Sequence, residues 1–205
     1  MSAISIQGNA GGTGTLTVAA PSTNTNRTLT LPDGTGTFSV AGVNSNIVSG
    51  TAQTAPPTTP QYFDFTSIPS WVKRITVMFR NFSTSSTSAI LIQIGYQSPV
   101  TTTGYQSSSI IGTVANSVSG NNSASGFIIS NLMVAANYYD GVAIINSFGS
   151  NTWVASSTLV NSNTSSVGYV GAGSVVLGGT LDRVRITTVN GTDTFDLGSI
   201  NILYE

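Results

Sequence analysis

From Arg74 to Arg80 a large apolar side chain falls on every second residue: Ile75, Val77 and Phe79 alternate with Arg74, Thr76, Met78 and Arg80. A period of two marks a half-buried β-strand, because successive side chains of an extended backbone point to opposite faces. The pattern returns where Val184 and Ile186 alternate with Arg183, Arg185 and Thr187, and again at Ile200, Ile202 and Tyr204. Ala89 to Ile94, Gly126 to Ala136, Val142 to Ile145 and Val175 to Leu177 are instead more continuously apolar and rich in β-branched residues. Such runs predict strands covered on both sides.

Asp140-Gly141, Gly178-Gly179 and Asn190-Gly191 are turn signals, since each supplies positive φ at little steric cost. Asn190-Gly191 stands between two alternating runs and predicts a type I′ hairpin. No segment has a helical period. The expected fold class is therefore all-β, with an antiparallel β-sandwich, jelly-roll-like, over residues 61–205. A domain of that size buries enough apolar surface to fold alone.

Upstream, Ala55-Pro56-Pro57-Thr58-Thr59-Pro60 fixes φ and removes backbone donors, so residues 46–60 are expected to form a neck or linker. In residues 1–45 the phrase Gly12-Thr13-Gly14-Thr15-Leu16-Thr17-Val18 is echoed by Gly34-Thr35-Gly36-Thr37-Phe38-Ser39-Val40. Its apolar residues come in short pairs, Leu16/Val18, Leu29/Leu31 and Phe38/Val40. So little side-chain surface does not offset a backbone ordering cost of about 1–2 kcal/mol per residue. Residues 1–45 are expected to form a β-stalk or attachment segment that gains its stability from sister copies.

Only 6% of the residues are charged, against roughly 25% in ordinary globular chains, while 40% are hydrophobic. Ser, Thr, Asn and Gly take the place of charge on the surface, and neutral groups pack beside copies of themselves without like-charge repulsion. With a net charge of −1 and six scattered cations there is no basic stripe for phosphate, so neither nucleic acid nor anionic membrane is an expected partner. Met1-Ser2-Ala3-Ile4-Ser5 lacks the basic start and apolar run of a signal peptide, and no stretch reaches the roughly 18 apolar residues of a spanning helix. The expectation is synthesis in a cytoplasm without membrane insertion. Without cysteine, neither a disulfide framework nor a thiolate zinc site can form.

Asn26-Arg27-Thr28-Leu29-Thr30-Leu31-Pro32-Asp33 followed by Gly34-Thr35-Gly36-Thr37-Phe38 resembles segments that recur in bacteriophage tail fibres and other virion appendages. The stretch from Phe63 to Val77, with Ile68-Pro69-Ser70-Trp71 at its centre, is similar to the first strand of β-sandwich domains in phage structural proteins. The resemblance implies a homotrimeric virion protein, made in the host cytoplasm and released by lysis. Its amino-terminal segment would join other virion proteins and its distal sandwich would touch the host. The leading expectation is a tail or head fibre that binds a host surface glycan. Alternatives are a capsid decoration protein that stabilises the phage head and, third, a small polysaccharide depolymerase.

The chain has no histidine, which excludes a Ser-His-Asp triad and histidine-ligated metal. A glycosidase would need two carboxylates facing across a cleft. Of the acids, Asp193 and Asp196 follow Asn190-Gly191, and Asp33 and Asp140 precede glycines, so all four read as turn residues. No catalytic residue is assigned, and a non-enzyme is expected. No loop has the carboxylate density of a calcium site, and Gly171-Ala172-Gly173 lacks the Lys-Ser/Thr of a phosphate loop, so no metal or cofactor is expected. Tyr96-Gln97-Ser98 and Tyr105-Gln106-Ser107 bracket residues 99–104, and Asn137-Tyr138-Tyr139-Asp140-Gly141 puts two tyrosines at an expected hairpin tip. Flat aromatic faces beside amides and carboxylates suit sugar rings, which makes Tyr96, Tyr105, Tyr138, Tyr139 and Asp140 candidate glycan contacts. The competing account is packing at sheet ends or at a subunit interface. Trp71 and Trp153 read as packing anchors.

Overall fold

The computed structural model describes residues 11, 24–26, 47–55, 60–113, 118–163 and 167–205. The chain divides into two units, Met1–Ser39 and Val40–Glu205, and every strand described here belongs to the second. Both copies of the glycine-threonine phrase and the Leu29/Leu31 pair lie outside the described residues, as do residues 56–59.

Among the described residues there are thirteen strands and no helix. In chain order they are β1 (Val48–Ser49), β2 (Gln53–Thr54), β3 (Tyr62–Thr66), β4 (Arg74–Thr84), β5 (Ile90–Gly95), β6 (Gln106–Thr113) and β7 (Val118–Ser123). They continue as β8 (Phe127–Ile128), β9 (Tyr139–Gly149), β10 (Thr152–Asn161), β11 (Val167–Val176), β12 (Arg183–Thr188) and β13 (Phe195–Tyr204). The pairings are antiparallel throughout. A nine-stranded sheet has the order β1-β13-β4-β9-β10-β11-β6-β7, with β2 also on β13, and a four-stranded sheet has the order β3-β12-β5-β8.

Alternation decides what lies between the sheets. Ile75, Val77 and Phe79 of β4 and Ile200 and Ile202 of β13 meet Phe63, Phe65, Ile92, Ile94, Val184 and Ile186 from the smaller sheet in one core. Each such side chain contributes about 1.5–3 kcal/mol when fully buried. Ile90 to Gly95 is buried on both faces, as its continuous apolar run predicts: Ile90, Ile92 and Ile94 enter the main core, while Ala89, Leu91 and Ile128 form a second cluster.

Several expectations need correction. Residues 47–55, assigned to the neck, are tied to the sandwich: Val48–Ser49 and Gln53–Thr54 pair with β13, Ala55 N–H donates to Gly198 O at 3.0 Å, and Ala55 is buried. Asn190-Gly191 makes no hairpin, because β12 and β13 belong to different sheets. Only Gly191 has positive φ there, and Asn190 Oδ1 instead caps the corner by accepting from Thr192 N–H and Asp193 N–H. Asp140-Gly141 lies inside β9 rather than at a tip. The tip between β9 and β10 is Ser150-Asn151, both at positive φ as a type I′ turn demands. Of Gly126 to Ala136 only Phe127–Ile128 is a strand, and Val142 and Val176 are exposed, so β9 and β11 are covered on one face only.

The register gives the sandwich two distinct ends. One carries the crossovers at residues 85–89 and 189–194, together with the starts of β9 and β13. The other carries residues 67–73, 96–105 and 177–182 and the β9–β10 tip.

Candidate functional site

The five tyrosine and aspartate candidates do not converge. Tyr96 follows β5 at the end where Gly95 pairs with Arg183, and its ring lies against Gly178 and Gly179 in the β11–β12 connection. Any side chain at those glycines would collide with the ring, so this pair of glycines is where the aromatic packs. Tyr138 and Asp140 lie at the opposite end, where Tyr139 pairs with Phe82 and Asn161. A single ligand-sized site cannot draw on both groups.

Tyr105 and Tyr139 are core residues, 3% and 1% exposed, and their assignment as glycan contacts is withdrawn on that ground. Their hydroxyls do structural work at loop backbones. Ile94 N–H donates to Tyr105 Oη at 2.8 Å, and the Tyr105 hydroxyl donates to Ile94 O at 3.1 Å. Val134 N–H donates to Tyr139 Oη at 3.0 Å, and the neighbouring Tyr169 hydroxyl donates to Leu132 O at 2.8 Å. Burial pushes the Tyr105 phenol above its ordinary range, and burial followed by the proximity of Tyr139 does the same to Tyr169. Trp153 is buried as an anchor should be, whereas Trp71 is half exposed and stacks obliquely on Tyr204 with ring centroids 6.1 Å apart.

What remains is built around a double irregularity in the nine-stranded sheet. The β4–β13 register shifts on both sides of Leu197, and the β4–β9 register shifts between Phe79 and Phe82. Asn81 has φ 48° and Gly198 has φ 81°. A Cβ at Gly198 would strike the carbonyl oxygens of Arg80 and Asn81, so only glycine permits this close approach of the two strands. The bulge takes Arg80 and Asn81 out of the pairing with β9, while Arg80 still pairs with Ser199 of β13, and a cleft of about 360 Å³ lies beside them. Thr54, Arg80, Asn81, Tyr138, Leu197 and Ser199 line it, with Gly198 at its floor.

Each wall is held from behind. Asn81 N–H donates to Asp140 Oδ1 at 2.8 Å, which fixes the bulge against β9. Tyr138, 40% exposed, is anchored through its backbone: its N–H donates to Asn163 Oδ1 at 2.9 Å, and Ser162 N–H donates to its carbonyl at 2.8 Å. Thr54 is positioned by the β2–β13 pairing. Arg80 makes no ion pair among the described residues.

The cleft thus offers an aromatic side chain, a guanidinium, a side-chain amide and two hydroxyls, with Asp140 adjoining. This inventory can stack on and hydrogen-bond a polyol, and Arg80 favours one that carries an acidic group. No carboxylate lines the cleft, so no acid/base pair faces across it. Among the described residues no group of three potential metal ligands occurs.

Sequence reasoning reached Tyr138 and Asp140 by placing them at a hairpin tip, although Asp140 lies within β9. It missed Thr54, Arg80, Asn81 and Ser199, because their convergence depends on the register shift. Gly198 between Leu197 and Ser199 in an otherwise alternating strand is the one signal for such a bulge. No family model, curated protein or solved structure matches this chain.

Proposed function

We propose that the chain is a non-enzymatic virion appendage protein, a tail or head fibre that assembles as a homotrimer and binds a host surface glycan through the bulge cleft. The virion setting comes from the resemblance of its amino-terminal and Phe63–Val77 segments. The strand order supports a jelly roll, with the nine-stranded sheet facing β3-β12-β5-β8 so that β3 lies against β13 and β8 against β11, β6 and β7. Double-sheet jelly rolls recur in viral capsid and lectin domains, which is an analogy of fold and not of site.

The observation that carries the glycan reading is the cleft lined by both Tyr138 and Arg80, the latter without an ion-pair partner among the described residues. A panel of bacterial surface polysaccharides, acidic and neutral, tests it with the full chain. Tyr138→Ala and Arg80→Ala are each expected to weaken binding at least tenfold, about 1.4 kcal/mol or more. Arg80→Ala should act more strongly on acidic glycans. Binding that is indifferent to both substitutions would remove the cleft from the proposal. Label on capsid faces of intact particles, rather than on an appendage, would favour head decoration instead.

A further inference from the structure

The outer face of the nine-stranded sheet has no counterpart elsewhere in the sandwich. β6, β7, β10 and β11 contain no Asp, Glu, Lys or Arg at all, and β9 contains only Asp140 at its start. Burial alternates along these strands and sends Val142, Val160, Val170 and Ile110 outward. The register aligns Val142, Thr158, Val170 and Ile110 as one row across four strands, with Ile144, Ser156, Ala172 and Ser108 as the row beside it. Val142 is 41% exposed and Val170 is 55% exposed.

From this we infer that copies of the chain meet through this face, the neutral outer surface of β9, β10, β11, β6 and β7. Three observations select a second copy as the occupant. First, β9 and β11 carry the continuous apolar runs that in β5 accompany burial on both faces, yet one chain covers them on a single face. Among the described residues no strand covers their other face. Second, apart from Asp140 at the start of β9 the face carries no charge, so a copy brought against it meets little like charge and strands few counter-ions; a partner selected by electrostatics would find little to read. Third, five strands about 4.8 Å apart and roughly eight residues long present roughly 650 Å² per copy, roughly 1,300 Å² for two, within the range of stable specific interfaces. Sheets stack face to face at about 10 Å, and short side chains such as Val, Thr, Ser and Ala allow that approach.

This inference deepens the assembly half of the proposed function and is independent of the glycan half. Light scattering on the full chain at micromolar concentration tests it with three variants. Wild type is expected to be oligomeric. Val170→Glu, at an outward position that a monomer tolerates, is expected to give the mass of a single chain with its circular dichroism unchanged. Ser156→Lys, in the neighbouring row, should do the same by a substitution of opposite charge. Thr66→Glu, exposed on the outer face of the other sheet, should leave the assembly intact. An assembly that survives both Val170→Glu and Ser156→Lys would overturn the inference while leaving the homotrimer standing on another contact. A monomeric wild type would overturn both, and neither outcome bears on binding at the cleft.

Discussion

The two outer faces of the sandwich are finished in different ways. On the four-stranded sheet, β3 and β12 expose Asp64, Arg183 and Arg185, and each charge is matched. Arg185 grips Asp64 with two hydrogen bonds, Nε to Oδ1 at 2.7 Å and Nη2 to Oδ2 at 2.6 Å, and its guanidinium lies 3.9 Å from the centre of the Tyr62 ring. Arg183 holds Asp182 in the same forked manner, with its Nε 2.7 Å from Oδ1. On the nine-stranded sheet, charge stops at β4 and the start of β9. Three of the chain's few ionic groups lie on the narrow sheet, whereas β10, β11, β6 and β7 of the wide one carry none. The first face is finished with matched charges, and on the inference drawn above the second is covered by another copy.

The largest effect that separates the two should come from outward-facing apolar residues. Leu91, outward on β5 yet buried against Ala89 and Ile128, should cost about 2–4 kcal/mol as Leu91→Ala. Val142→Ala, outward on β9, should cost less than about 1 kcal/mol when urea unfolding is followed on the monomeric Val170→Glu background. Equal losses at the two sites would mean that the nine-stranded sheet is covered within its own chain.

A smaller effect is expected from the ionic finish itself. Arg185→Ala removes a half-buried fork and leaves Asp64 without its partner, for a loss of about 1–2 kcal/mol. No comparable electrostatic loss is available on β10, β11, β6 or β7. High salt should therefore lower the stability contributed by the narrow sheet while leaving assembly through the wide one intact. Salt-induced dissociation would contradict that division.

The smallest effect concerns acid. The Arg183 guanidinium holds the Asp182 carboxyl below its ordinary value, aided by Gln97 N–H at 3.1 Å. With the folded-state value depressed, the pair stabilises the fold above the ordinary carboxylate pKa, and that contribution is lost as pH falls through the lower folded value. Asp182 is more than a third exposed, so Asp182→Asn should cost no more than about 0.5 kcal/mol at neutral pH. The variant should also unfold with a shallower dependence on pH in mildly acidic solution than wild type.

How much of this could be read from the sequence follows the same divide. β4, β12 and β13 were legible because each buries one face against the core, and the period of two records that directly. β5 was legible because both of its faces are covered by its own chain. The runs in β9 and β11 look the same in one dimension, since an apolar residue carries no mark of whether its own chain will cover it. β6 and β7 are written in Ser, Gly and Asn and are strands only because β11 offers a free edge. Asn190-Gly191 misled because the turn chemistry is genuine but the strands it links enter different sheets. At the site, Tyr138 and Asp140 could be named from the sequence, whereas Arg80 and Asn81 face the cleft through a bulge fixed by strands far apart in the chain.

Because the chain has no cysteine, a single introduced thiol reports one position cleanly. Val170→Cys and Thr66→Cys, compared for reaction with a bulky maleimide across a dilution series of the full chain, test directly whether the wide neutral face is covered by another copy. Val170→Cys should be protected at micromolar concentration and become reactive on dilution, while Thr66→Cys reacts at the same rate throughout. Equal rates at both positions and all concentrations would show that face open to water and contradict the account.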